Sequence, residues 1–353
     1  MAGCDGNEVG FLMLCTLPLE DRMNVVNKMT PQNRCEFLRC SRKSCEEVKQ
    51  QVYSIEFRIY DTSFIRNLKI EIFFNEDEES ELVNEVGFEL DFVERRDNTN
   101  YIEYRTVRGR KLWDLQLDNS ADVIRSGLDY FKRILQFHHD NIKKLRIEGD
   151  IVRREFMNEQ FGIESFAQLE KLIMDCKQIE ATQFFSPIRH SLQELIVIGI
   201  DNHRITADCE KVYQVRNRLH IPSLMLNRQQ VLQLSAKRVC ISILRLTAQD
   251  VFDFVNSWKN GEYNGPIEKM EWWVDDSIFD ITSLFQLFGE PSSPPRKLPW
   301  RPYIVRYFYE IVQNNTLEKA RLIFDKVSIR FKMNCADRYE DSSDYEFGDD
   351  SDG

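Results

Sequence analysis

The chain has 353 residues, of which 42% are hydrophobic, and this is ample for one large or two smaller domains. Its longest apolar runs, at 11–19 and 195–200, are too short to span a bilayer, and no basic region precedes the first. Nine cysteines without a dense framework are typical of a reducing compartment. We therefore expect a cytoplasmic protein, with the nucleus as a second location open to it.

The net charge of −11 comes mostly from two segments. Residues 337–353 hold eight acidic residues and one basic residue, and residues 76–81 hold five acidic residues. The remainder is about neutral and has no broad basic stripe, so we expect no nucleic-acid partner. We expect the acidic tail at 336–353 to be disordered.

The first segment, residues 8–50, combines two short amphipathic helical stretches with more apolar residues than a unit of this size can bury. Its main features are Leu17-Pro18, then Val25, Val26 and Met29, then Leu38, then Cys-Ser-Arg-Lys at 40–43. The surplus apolar face predicts a partner surface, either on another chain or on the rest of this one.

This pattern resembles an F-box, the motif that docks onto a Skp-type adaptor in cullin-based ubiquitin ligases. Asn-Arg-Cys at 33–35 departs from common F-boxes, in which more apolar residues occur there. The resemblance implies an adaptor-binding set of Leu17, Pro18, Leu19, Val25, Met29, Leu38, Ser41 and Lys43. The alternative is a helical hairpin that packs on its own domain.

Residues 51–111 form a predicted strand-rich connector. Apolar and polar residues alternate at 53–59, 68–72, 88–92 and 101–104, which predicts strands with one buried face.

From residue 112 an apolar-x-x-apolar-x-apolar triplet recurs. Its starts are Leu112, Ile142, Leu169, Leu192, Ile221, Ile241 and Ile267. This spacing lies within or near the range of leucine-rich repeats. Helical stripes follow two triplets, with Asp118, Asn119 and Ser120 as candidate N-caps of the first and Thr247 as the cap of the second. The pattern favours an irregular leucine-rich-repeat-like α/β solenoid, and a compact α/β domain is the alternative.

The last part of the chain predicts a break followed by two strands. Four prolines in residues 290–299 break regular structure. Residues 303–312 and 326–333 alternate apolar and polar positions, and a turn and a short helical stretch are expected between them.

The stretch from Leu246 to Gly261, followed by Pro266 to Met270, resembles the F-box-associated domain of the large nematode F-box families. The matching letters are Leu-Thr, an Asp, a Phe, a Trp and a Gly in that order. The resemblance implies an F-box at 8–50 and an F-box-associated, leucine-rich-repeat-like domain at 112–335. The implied fold class is α/β, with an N-terminal helical F-box, the connector and the solenoid.

No catalytic motif occurs, since Walker, G-x-S-x-G and H-E-x-x-H patterns are all missing from the sequence. Adjacent His138 and His139 would point about 100° apart on a helix, which suits a polar helix end better than a metal site. We expect a chain that is not an enzyme and that has no cofactor and no metal.

The resemblance implies the substrate-recognition subunit of a Skp–cullin–F-box type ubiquitin ligase, which bridges the adaptor, and through it cullin, to a protein target. Polar positions on the concave strand face are the candidate target-binding residues: Lys144, Arg146, Lys171, Glu194, Lys269 and Glu271. Trp273 joins them because strand alternation places it opposite Trp272. The alternative is a leucine-rich-repeat-like interaction module without a ligase role.

Overall fold

The computed structural model describes residues 54–61, 66–73, 87–94, 100–106, 111–116, 122–149, 166–175, 188, 191–198, 210–243, 245–263, 265–274, 279–298 and 301–333. The chain divides into two compact units, Met1–Ile205 (unit 1) and Thr206–Gly353 (unit 2). The helices predicted at 8–50 and the tail predicted at 336–353 lie outside the described residues.

Unit 1 contains a mixed sheet. Its strands are β1 (Ser54–Asp61), β2 (Arg66–Phe73), β3 (Gly87–Glu94), β4 (Asn100–Thr106), β5 (Lys111–Gln116), β6 (Lys144–Gly149), β7 (Lys171–Asp175) and β8 (Glu194–Ile198). The order is β8-β7-β6-β1-β2-β3-β4-β5. Strands β1 to β5 form an antiparallel meander, whereas β6, β7 and β8 run parallel to β1. The strands predicted for the connector are confirmed.

One face of this sheet packs on helix α1 (Val123–His138). Phe57 on β1 stacks on Phe131 of α1 with ring centroids 4.0 Å apart, and neither side chain is exposed. Gly127 allows the close approach, because a Cβ there would lie 2.6 Å from a Leu68 methyl carbon on β2. The helix is capped by Asp122, whose carboxylate accepts from the N–H of Ile124 at 2.9 Å. The cap predicted at 118–120 is therefore wrong.

Unit 2 also contains mixed β-sheet, and its strands and helices are numbered onward. The strands are β9 (Arg218–Met225), β10 (Arg238–Ser242), β11 (Lys269–Trp273), β12 (Ser293–Leu298), β13 (Arg301–Val312), β14 (Lys319–Phe324) and β15 (Ser328–Met333). The helices are α2 (Glu210–Tyr213), α3 (Arg228–Val231), α4 (Ala248–Lys259) and α5 (Thr282–Phe288). The order is β9-β10-β11-β15-β14-β13-β12, with β9, β10 and β11 parallel and the others antiparallel.

Helix α4 forms as the sequence predicts. Thr247 and Asp250 make a capping box, in which each side chain bonds the backbone N–H of the other residue. Phe254 and Trp258 face inward and meet Phe331 of β15 edge-on, at 5.8 and 5.1 Å between ring centroids. Gly261 ends the turn with φ of 73°, a left-handed conformation that favours glycine.

The predicted fold class, an α/β chain with an N-terminal helical F-box and a leucine-rich-repeat-like solenoid, is wrong. In the part of the chain that the structure describes, strands dominate, and antiparallel pairs make up much of the sheet in both units. The triplet at Leu112 shows the reason, because it falls on β5, an edge strand of an antiparallel meander. An apolar triplet in the sequence indicates one strand, but it indicates neither the direction of the neighbouring strand nor a helix after it. No described helix is both long and apolar enough to cross a membrane.

The C-terminal strands also differ from their prediction in two places. Pro294 and Pro295 lie within β12, which tolerates them because it pairs on only one side. A turn and a short helical stretch were expected between residues 312 and 326, but residues 319–324 form strand β14 between β13 and β15.

The Phe57–Phe131 stack predicts a large loss on truncation. Phe131→Ala should lower the free energy of unfolding by about 3–5 kcal/mol, because the ring is fully buried. Tyr130→Ala is the matched control, since that ring is 42% exposed, and should cost about 1 kcal/mol or less. Urea unfolding followed by circular dichroism measures both, and equal losses would contradict the packing of α1 on β1.

Candidate target-binding surface

The face of the unit 1 sheet opposite α1, here called polar face 1, is densely charged. One in-register row crosses β6, β1, β2, β3 and β4 and consists of Arg146, Glu56, Glu71, Glu89 and Arg105. The three glutamates are adjacent and only 4–7% exposed. Like charges directly opposite each other destabilise a sheet, so these carboxylates need cations nearby.

Those cations come from the next row, chiefly from Arg58. Its guanidinium lies 2.9 Å from a Glu56 carboxylate oxygen, 3.5 Å from Glu71 and 3.3 Å from Glu148. Burial opposes the charged form of Arg58, but these three carboxylates outweigh it and raise its pKa. Burial raises the pKa of Glu71, and Arg58 and Lys69 oppose that rise. Lys69 also lies 3.1 Å from Glu89, so each of the three glutamates in the row has a basic side chain beside it.

Four predicted target-binding residues lie on polar face 1. Lys144 and Arg146 are on β6, Lys171 is on β7 and Glu194 is on β8. Lys171 and Glu194 are paired at 3.3 Å, while Arg146 contacts Glu148 at 3.1 Å and Lys144 contacts Glu56 at 3.5 Å. The structure brings these side chains together, but it pairs each with an opposite charge of the same sheet.

The other three predicted residues lie on β11, on the face of the unit 2 sheet opposite α4, here called polar face 2. Trp272 is 1% exposed and packs against Phe254 of α4, whereas Trp273 is 46% exposed. The indole N–H of Trp273 donates to the Cys240 sulfur on β10 at 3.0 Å. The predicted alternation of the two tryptophans is confirmed. This hydrogen bond holds one edge of the Trp273 ring on the sheet while much of the ring remains exposed.

Charged side chains lie beside this tryptophan on polar face 2. Glu271 accepts from Arg330 of β15 at 3.0 Å and lies 3.5 Å from Lys269. Glu271 and Arg330 are only 7% and 6% exposed. Such a pair is costly to break on one side, because the remaining charge stays buried. Trp273 thus lies on the same face as a buried Glu271–Arg330 ion pair.

Two titratable side chains on polar face 2 are buried. Burial, with Arg218 and Lys269 nearby, lowers the pKa of His220 to about 4. Burial and the Glu271 carboxylate raise the pKa of the Cys240 thiol. His220 is therefore neutral and Cys240 is a thiol at neutral pH, and a protonated thiol is a poor nucleophile.

Arg58 and Arg330 were missed by sequence reasoning, although they hold both polar faces together. The triplets drew attention to the parallel strands, whereas these arginines lie on β1 and on the antiparallel β15. Alternation along 328–333 was the available signal, because it places Ser328, Arg330 and Lys332 on one face.

This arrangement suits protein binding. Exposed tryptophan amid ordered charges is typical of interface centres, where Trp and Arg supply much of the binding energy. Among the described residues, no group of three or more His, Cys, Asp or Glu side chains is placed to hold a metal ion.

The predicted adaptor-binding residues, Leu17, Pro18, Leu19, Val25, Met29, Leu38, Ser41 and Lys43, lie outside the described residues. Comparison of the chain with protein-family models, with curated proteins and with solved structures gave no match in any of the three.

The lowered pKa of His220 predicts a specific loss of stability in acid. An unfolded histidine titrates near 6.5, so the unfolded chain takes up this proton first as the pH falls. The contribution of His220 is complete above about pH 6.5 and declines towards pH 4, by about 3 kcal/mol in total. His220→Gln should remove this part of the decline.

Urea unfolding at several pH values between 7 and 4 measures the slope for each variant. His220→Asn is a second uncharged variant at the same position and should give the same slope as His220→Gln, because both lack the imidazole that titrates. Parallel curves for the native chain and His220→Gln would show that His220 is solvated.

Proposed function

We propose that the chain is the substrate-recognition subunit of a Skp–cullin–F-box type ubiquitin ligase, acting in the cytoplasm. The observation that carries the proposal is the segment 8–50, whose Leu17-Pro18 step and surplus of apolar residues resemble an adaptor-docking motif. A segment of this size needs a partner to cover its apolar residues. The resemblance of Leu246–Gly261 to the F-box-associated domain supports the same function.

The described residues supply a surface of the kind that a receptor needs. Trp273 presents an aromatic ring on the face where the Glu271–Arg330 pair joins β11 to β15. In the proposed complex the chain forms no bond with ubiquitin itself. It holds the target beside the conjugating enzyme, which converts a bimolecular transfer into an effectively unimolecular one.

Adaptor binding is the first test. The full chain, co-expressed with a Skp-type adaptor, should give a complex that elutes as one species in size-exclusion chromatography. The double variant Leu17→Ala with Pro18→Ala should weaken this complex by about tenfold or more, because it truncates the centre of the proposed docking face.

The matched control is Leu232→Ala with Pro266→Ala, which changes the same two residue types at exposed positions of unit 2. This control should bind the adaptor like the native chain. A full chain that is soluble and monomeric and ignores the adaptor would refute the ligase role. It would favour an interaction module without a ligase role, which the exposed Trp273 also suits.

Target binding is tested separately through Trp273. Proximity labelling in cells, with and without proteasome inhibition, should reveal proteins that accumulate near the native chain only when degradation is blocked. Trp273→Ala should reduce their labelling by about tenfold, as expected for an interface centre, while adaptor binding stays intact. Tyr130→Ala, an exposed aromatic residue on α1, is the control. Equal labelling for both variants would place the target surface elsewhere.

A further inference from the structure

The sequence contains two copies of one short pattern, a serine followed by a proline and, two residues after that proline, by an arginine. The copies are Ser186-Pro187-Ile188-Arg189 and Ser293-Pro294-Pro295-Arg296. Proline-directed protein kinases recognise such a pattern, because a pocket after the serine fits the proline ring and a carboxylate patch binds the base. Any other residue in that pocket would bring a backbone N–H, which proline lacks. The sequence alone therefore offers two equal candidates for phosphorylation.

The structure closes the first copy. Ile188, two residues after Ser186, is 0% exposed and forms a parallel bridge with Phe166, which is also 0% exposed. The residue before a proline favours an extended backbone, which is the form that a kinase groove holds. To bind the first copy as an extended segment, a kinase would have to draw Ile188 out of the core. Burial of isoleucine is strongly favourable, so this opening is rare in the folded chain.

The second copy lies on the surface of unit 2, at the start of β12. Of residues 290–297, six are exposed, and Pro291 and Ser293 are partly exposed. The approach from the preceding residues is also open, because a Cβ built at Gly289 would meet no atom within 4 Å. A kinase groove can therefore contact the serine, the proline and the arginine of this copy without unpacking a core residue.

Strand β12 is also weakly attached to its sheet. Among the described strands it pairs with β13 alone. Pro294 and Pro295 have no N–H to donate to β13, and the register shifts between Ser293 and Arg296. The guanidinium carbon of Arg296 lies 5.5 Å from the centre of the Phe308 ring, and an exposed contact of this kind is weak. The start of β12 can therefore leave β13 at little cost in free energy.

We propose that Ser293 is a phosphorylation site for a proline-directed protein kinase that also selects the base of Arg296. In the transfer, the Ser293 hydroxyl oxygen bonds to the γ-phosphorus of magnesium-bound ATP, the bond from that phosphorus to the β–γ bridging oxygen breaks, and ADP leaves. The hydroxyl proton passes to the catalytic aspartate of the kinase. Adaptor binding through residues 8–50 plays no part in this reaction, so each proposal can fail alone.

The test is phosphorylation of the full chain by a cyclin-dependent kinase with its cyclin and magnesium ATP, followed by mass spectrometry of each site over time. Two synthetic peptides, of residues 180–192 and 287–299, contain one copy each and have no fold to protect it. Both peptides should be phosphorylated. The ratio of the Ser293 rate to the Ser186 rate should be about tenfold or more higher in the full chain than in the peptides, because only the fold buries Ile188.

Variants of the second copy test which residues the kinase reads. Arg296→Gln should slow phosphorylation of Ser293 by about tenfold, because the carboxylate patch then has no base to bind. Arg245→Gln is the matched control at an exposed arginine outside the pattern, and it should leave the rate unchanged. Ser293→Ala should remove all phosphate from residues 287–299. Ser292 should not replace it, because a serine and not a proline follows Ser292.

Three results would overturn the proposal. An equal ratio of the two rates in the full chain and in the peptides would show that the fold does not choose between the copies. A peptide of 287–299 that reacts while Ser293 of the full chain does not would show that β12 is closed to the kinase. An unchanged rate for Arg296→Gln would show that the base is not read.

Discussion

The position of β1 is the constraint on which unit 1 depends. This strand is antiparallel to β2 and parallel to β6, so it joins a local meander to strands that follow some eighty residues later in the chain. Side chains on both faces of β1 stabilise this junction. Phe57 stacks on Phe131 on one face, and Arg58 on the other contacts carboxylates of β1, β2 and β6. Alternation along a single strand thus supplies an apolar contact and a three-strand ionic contact.

In unit 2 the corresponding junction between parallel and antiparallel strands lies at β11. This strand is parallel to β10 and antiparallel to β15, so the strand direction changes here as well. Trp272 packs under the junction against Phe254, and Glu271 accepts from Arg330 across it. In both units the strand direction reverses at a strand with two such contacts. An aromatic residue packs on the helix-facing side of the sheet, and an arginine contacts a glutamate on the opposite face. Buried ion pairs add little net stability but are costly to mispair, so this arrangement favours one register over its alternatives.

Local features of this fold could be predicted from the sequence, and its pairing could not. Alternation identified the meander, and Thr247 with Phe254 and Trp258 identified α4, because these signals lie within a few residues of each other. The direction of β5 and the strand at 319–324 depend on partners elsewhere in the chain, which no local pattern reports. The candidate surface shows the same difference between local features and strand pairing. Trp273 could be found from alternation, but its bond to Cys240 depends on the register of β10 and β11.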